Sequence, residues 1–94
     1  MDIGFIWDEF KYEQVKKEHH VYFYEVVSAF DDACGYEIPD PGGFEDRWLW
    51  VGQTALDRIL AIVYSEVDLP LYRVITAFDA QGMLFDEYTK RKKR

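Results

Sequence analysis

Apolar residues change their spacing along this chain, and each change marks a different element. Ile3 to Trp7 is a short apolar run suited to a first strand. Asp8 follows and can cap a helix, because its carboxylate accepts backbone N–H groups and favours the positive helix end. A helix over residues 9–19 is expected next, with a thin apolar face of Phe10 and Val15. Phe23, Val26, Val27 and Phe30 then fall at i, i+3, i+4 and i+7, an amphipathic stripe that predicts a second helix ending near Asp31 and Asp32.

The period then shortens. Gly35, Pro39, Pro41, Gly42 and Gly43 make the next stretch a loop with at most one short strand. Residues 47–54, 58–66 and 71–78 read as strands, rich in β-branched and aromatic side chains. The links between them are short, which favours antiparallel neighbours over crossovers. After Gly82 a last helix runs into the charged end. The sum predicts one α+β domain: an N-terminal strand and two helices packed on an antiparallel β-meander, with a C-terminal helix. Helices are expected on one face of the sheet. Residues 1–89 form the domain, and 90–94 a basic C-terminal tail.

Trp48 and Trp50 share one face of their strand, with Arg47, Leu49 and Val51 on the other. Core packing explains them; the sharper alternative is a half-exposed platform for a partner. With 49% hydrophobic and 18% aromatic residues, the 94-residue chain can bury a real core. Cys34 is the only cysteine, so no intrachain disulfide forms, and a small buried apolar role is expected for it. The opening Met1-Asp2 is acidic and no leader-like or membrane-spanning apolar run follows, so a cytoplasmic protein without membrane attachment is expected.

Charge changes the picture more. All eighteen acidic residues and six of the eleven basic ones lie in residues 1–89, giving 6 − 18 = −12. Lys90-Arg91-Lys92-Lys93-Arg94 then adds +5, for a total of −7. A body of that sign repels a phosphate backbone. Any dealings with RNA must therefore run through a local group of cations or through the tail.

Such a group can be assembled on paper. Metal-independent cleavage of RNA needs a base for the 2′-hydroxyl proton, an acid for the leaving oxygen and cations to stabilise charge on phosphorus. His19 is the natural proton carrier, since histidine ordinarily changes charge close to neutral pH. Lys11, Arg47 and Arg73 are candidate phosphate clamps, and Glu25 is either a base or an orienting group for His19. Each has a plainer reading. His19 at a helix end can simply meet terminal carbonyls, Lys11 can be a solvated helix charge, and Glu25 a partner for a nearby cation. Arg47 and Arg73 each interrupt an apolar strand face, where a charge either pairs with an acid or lines a groove. His19 and His20 are adjacent and point about 100° apart on a helix, so they make no metal pair. No cofactor motif is present: there is no Gly-rich phosphate loop, no Gly-x-Ser-x-Gly elbow and no Cys-x-x-Cys.

Four stretches in order carry a resemblance: Trp7-Asp8-x-x-Lys11, His19-x-Val21-x-Phe23-x-Glu25, Arg47-Trp48 with Gly52, and Arg73-Val74-Ile75-Thr76-Ala77. Together the chain resembles the BrnT-like toxins of bacterial type II toxin–antitoxin pairs. The resemblance implies a RelE-like fold, ribonuclease activity, a cognate antitoxin as partner, and contact with DNA only through that antitoxin. The chain also departs from the family pattern. Phe78 stands where the family usually has an Arg, Leu84 falls near the place of a Glu, and His20 follows His19 where Gly is preferred. These departures support a second expectation, a catalytically weak or inactive member that acts as a protein-binding module.

Overall fold

Strand β1 (Gly4–Trp7) leads into helices α1 (Glu9–His19) and α2 (Phe23–Phe30) in a computed structural model that describes residues 4–93. Strands β2 (Tyr36–Pro39), β3 (Arg47–Gln53), β4 (Ile59–Ser65) and β5 (Leu71–Asp79) follow, and α3 (Met83–Lys92) ends the chain. The five strands form one sheet in the order β1-β5-β4-β3-β2. Strands β2 to β5 are an antiparallel meander, and β1 adds to its far edge parallel to β5. The fold is therefore α+β. Ile3, expected at the start of β1, lies outside the described residues.

Local chemistry sets the helix ends. The Asp8 carboxylate accepts the Lys11 N–H at 3.1 Å and caps α1. At the start of α2, the Glu25 carboxylate reaches back to the Tyr22 N–H at 3.2 Å. Helix α1 ends because His20 turns into the left-handed region at φ 55°, with its N–H donating to the Lys16 carbonyl at 3.1 Å.

Strand β4 explains the layers. Leu60 and Ile62 join Val15, Val21, Val26, Ala29, Val74 and Ala77 in one buried cluster. Ala61 and Val63 point the other way and join Leu49, Val51, Tyr36 and Tyr88 in a second. A strand apolar on both faces needs cover on both. Helices α1 and α2 cover one face, and α3 lies against the opposite one. The expectation of helices on one face alone is thus corrected, because the unbroken run Ile59–Tyr64 leaves no polar face for water.

Helix α3 is tied down by polar contacts. The Tyr36 hydroxyl donates to the Leu84 carbonyl at 2.8 Å, and the Tyr88 hydroxyl donates to the Asp32 carboxylate. Asp32 also accepts the Gln53 and Cys34 N–H groups at 2.8 and 2.9 Å. Burial opposes charge on Asp32, yet these three bonds and nearby Lys92 carry its pKa below the usual carboxylate value. Cys34 itself is exposed, against the buried role expected for it, because it sits in the turn leaving α2 with its backbone committed to Asp32. Lys90, Arg91 and Lys92 form the last turn of α3, where cations suit the negative helix end.

Trp50 belongs to the core. Its indole N–H donates to the Ala29 carbonyl at 2.8 Å, and its ring stacks on Phe30 with centroids 5.6 Å apart. Gly52 permits this approach, since a methyl there would overlap both the Ala29 oxygen and the indole nitrogen.

Candidate functional site

The β3–β4 turn delivers a residue that the sequence reading passed over. Thr54 organises this turn: its N–H donates to the Arg58 carbonyl at 2.7 Å, and its hydroxyl accepts from the N–H groups of Leu56 and Arg58. Arg58, just ahead of β4, is thereby aimed under the C-terminal end of α1. Its Nε donates to Asp79 Oδ1 at 2.6 Å and its Nη2 to Asp79 Oδ2 at 3.1 Å. The same guanidinium donates to the His19 carbonyl at 2.6 Å and to the His20 carbonyl at 2.7 Å. Glu25 completes the set, with its Oε1 3.4 Å from Nη1.

This is a charge cluster under a helix end. Glu25 is almost fully buried, Arg58 is largely covered, and Asp79 is half exposed. The bidentate bond to Arg58 holds the Asp79 carboxyl below its ordinary pKa despite some burial, and raises that of the guanidinium in turn.

Above the cluster lies an open hollow of about 290 Å³ lined by His19, Phe78, Asp79, Gln81 and Leu84. The side chain of His19 is 41% exposed, with its Nε2 4.0 Å from the Glu18 carboxylate. The ring of Phe78 stands beside it, centroids 6.3 Å apart. So the two positions where a cation and a carboxylate were expected, Phe78 and Leu84, do flank His19, and both are apolar. Among the described residues, no Lys or Arg lines this hollow.

The other candidates sit elsewhere. Lys11 is exposed near the start of α1, eight residues from His19 and so about 12 Å away along the axis. Arg73 faces Ser65, and Ser65 faces Arg47, across three adjacent strands. That row shares the sheet face opposite α1 and α2. Arg73 pairs with Asp68 at 2.6 Å, and Arg47 lies 4.1 Å over the Phe44 ring. Arg73 also lies five residues before Phe78 on β5, about 16 Å at strand rise. The structure therefore joins His19 and Glu25 through Arg58, sets Arg47 and Arg73 together on the far face, and leaves Lys11 apart. A single hollow holding all five does not form.

A partly exposed imidazole and an ionised carboxylate, with no free cation beside them among the described residues, can move protons but give little charge stabilisation to a phosphorane. Among the described residues, no three of His, Cys, Asp or Glu converge as a metal site. Nor is any described helix long and apolar enough to cross a membrane.

The family model of the BrnT ribonuclease toxin of type II toxin–antitoxin systems matches residues 7–82. The chain belongs to the BrnT toxin family. For a BrnT toxin, membership implies RNA as target and an antitoxin as partner. The crystal structure of the Brucella abortus ribonuclease toxin, BrnT, superposes with a TM-score of 0.61 over 86% of this chain and 100% of that one, at 22% identity. That similarity establishes the shared fold. A comparison with curated proteins finds no match. The family match stops at Gly82, so it takes in Phe78 but leaves Leu84 and α3 outside.

Proposed function

We propose that this BrnT-family protein cuts RNA at the His19 hollow by metal-independent acid–base chemistry, and that a cognate antitoxin, itself the DNA-binding member of the pair, neutralises it. In this scheme the His19 imidazole takes the proton of a 2′-hydroxyl as that oxygen bonds to the adjacent phosphorus. The phosphorus–O5′ bond breaks, and the imidazolium returns the proton to the departing O5′. The products are a 2′,3′-cyclic phosphate and a 5′-hydroxyl. Proton transfer is assigned to His19 alone; Glu25 serves it indirectly through Arg58.

The observation that supports this reading is the half-exposed imidazole over an open hollow, on a helix end whose carbonyls are both clamped. The absence of a Lys or Arg from that lining implies slow turnover. A second reading rests on Phe78 and Leu84: a hollow with these two apolar walls, on an acidic body, holds a basic partner and performs no chemistry.

One experiment separates them. Purified protein is incubated with RNA in excess EDTA beside His19→Ala, and with the product of the adjoining reading frame. Cleavage by the parent protein that is lost in the variant and blocked by the neighbour's product is expected. Equal cleavage by both proteins removes His19 from the mechanism, and abolition by EDTA removes metal independence. No cleavage with tight binding of the neighbour's product favours the second reading.

A further inference from the structure

Arg58 makes more bonds than a surface ion pair needs, and each of them is spoken for. A guanidinium has five N–H donors and accepts nothing. Here Nε and one Nη2 hydrogen go to Asp79, the other Nη2 hydrogen to the His19 carbonyl, and the Nη1 pair to His20 and Glu25. No donor remains for a phosphate. Arg58 therefore cannot serve as the missing clamp without dismantling its own surroundings.

Its effect falls on the end of α1. The carbonyls of His19 and His20 have no later turn of helix to bond with, and a cation at this end offsets the helix dipole. Helix α1 buries Val15, and Val21 just past its end is buried too, so apolar packing anchors the backbone here but leaves the carbonyls of His19 and His20 to Arg58. His20 is a non-glycine residue at φ 55°, a strained conformation that persists only where its surroundings hold it. The one guanidinium ties this turn to β4, to Glu25 of α2 and to Asp79 of β5.

Resting on the assignment of proton transfer to His19, we infer that Arg58 is a positioning residue for the reaction: it fixes where the His19 imidazole stands over the hollow and does not itself touch RNA. A lysine in its place keeps the charge but has three donors at a single point, too few and too close to span two carbonyls and two carboxylates.

The test compares parent protein, Arg58→Lys and Asp79→Asn, each kept well below its unfolding midpoint. The first readout is the ring-to-ring nuclear Overhauser effect between His19 and Phe78, which is independent of catalysis. The second is the split between kcat and KM on RNA. In Arg58→Lys the Overhauser effect is expected to vanish while core amide shifts of β3 and β4 stay put. Its kcat should fall roughly ten- to a hundredfold, the scale set by a reacting group displaced by about an ångström, with KM within about twofold. Asp79→Asn should weaken the effect without removing it. A parent-like Overhauser effect in Arg58→Lys overturns the inference. Should Arg58→Lys not fold, Asp79→Asn decides, and an undiminished effect there overturns it. If the parent protein proves not to cleave RNA, the functional proposal fails, yet the spectra still decide what Arg58 does.

Discussion

The ring of Phe78 stands 6.3 Å from the imidazole of His19, centroid to centroid, on the wall of the same hollow. A guanidinium at this position would face any phosphate brought to His19. Preorganised donors aimed at developing charge carry roughly a hundred- to a thousandfold in rate when one is removed. Restoring one into a site not built around it should return only part of that. Phe78→Arg is expected to raise single-turnover RNA cleavage by about tenfold, with the gain lost again in Phe78→Arg/His19→Ala. A rate that does not rise would show that something other than the missing cation limits turnover.

Much of this arrangement was legible in the order of residues. The stripe through Phe23, Val26, Val27 and Phe30 located α2, and Asp8 located the start of α1. The three β-rich runs became β3, β4 and β5 within about two residues, as such periodicities allow. The charge cluster was not legible. Arg58 and Asp79 are twenty-one residues apart, and they meet because β4 and β5 pair with Leu60 opposite Asp79. Register of that kind is set by the whole sheet and leaves no local mark. Glu25 reads in sequence as a partner for some nearby cation, but nothing local names Arg58 as that cation. The place of Arg73 is hidden for the same cause, since nothing near it in sequence tells which face of β5 the two helices will cover.

The Arg58–Asp79 pair gives stability a definite dependence on acid. The bond from Arg58 holds the Asp79 carboxyl below the ordinary carboxylate range. The unfolded chain therefore binds that proton at a higher pH than the folded one. The stabilisation is complete above the unfolded value and disappears as pH falls through the lower folded value. Asp32, also lowered, adds a second contribution of the same sign. Urea unfolding should show a loss of stability below about pH 4. The loss should shrink in Asp79→Asn, whose pH 7 stability should be lower by about 1 kcal/mol or less, since the carboxylate is half exposed. An unchanged acid limb in that variant would mean the pair is not formed in solution.

His20 occupies a position suited to glycine. At φ 55° and ψ 39° an ordinary side chain crowds the following carbonyl, and glycine does not. The glycine that the resemblance leads one to expect after the histidine thus has a conformational reason at the end of α1. The side chain of His20 is exposed, so little packing is lost with it. His20→Gly is expected to raise stability by about 0.5–1 kcal/mol, and Tm by a few degrees, despite the added freedom of the unfolded chain. A fall in Tm would indicate that the imidazole has a partner which offsets its strain.

Gly52 is constrained from the other side, by space. Its backbone runs against the last turn of α2, where the Ala29 carbonyl accepts the Trp50 indole N–H. A β-carbon would occupy the place of both atoms, so either the helix lifts or the indole rotates. Backbone cannot yield cheaply here, because Ala29 is fully buried and β3 is paired on both edges. Gly52→Ala should cost about 1–3 kcal/mol, the usual range for overpacking a filled core. The indole bond gives a local readout. In the parent protein the Trp50 Nε1 proton should exchange slowly with solvent and resonate as a hydrogen-bonded donor; in Gly52→Ala it should exchange faster and shift towards the position of a free indole. Retention of both slow exchange and full stability in the variant would mean that α2 and β3 are not in the close contact on which the first core cluster depends.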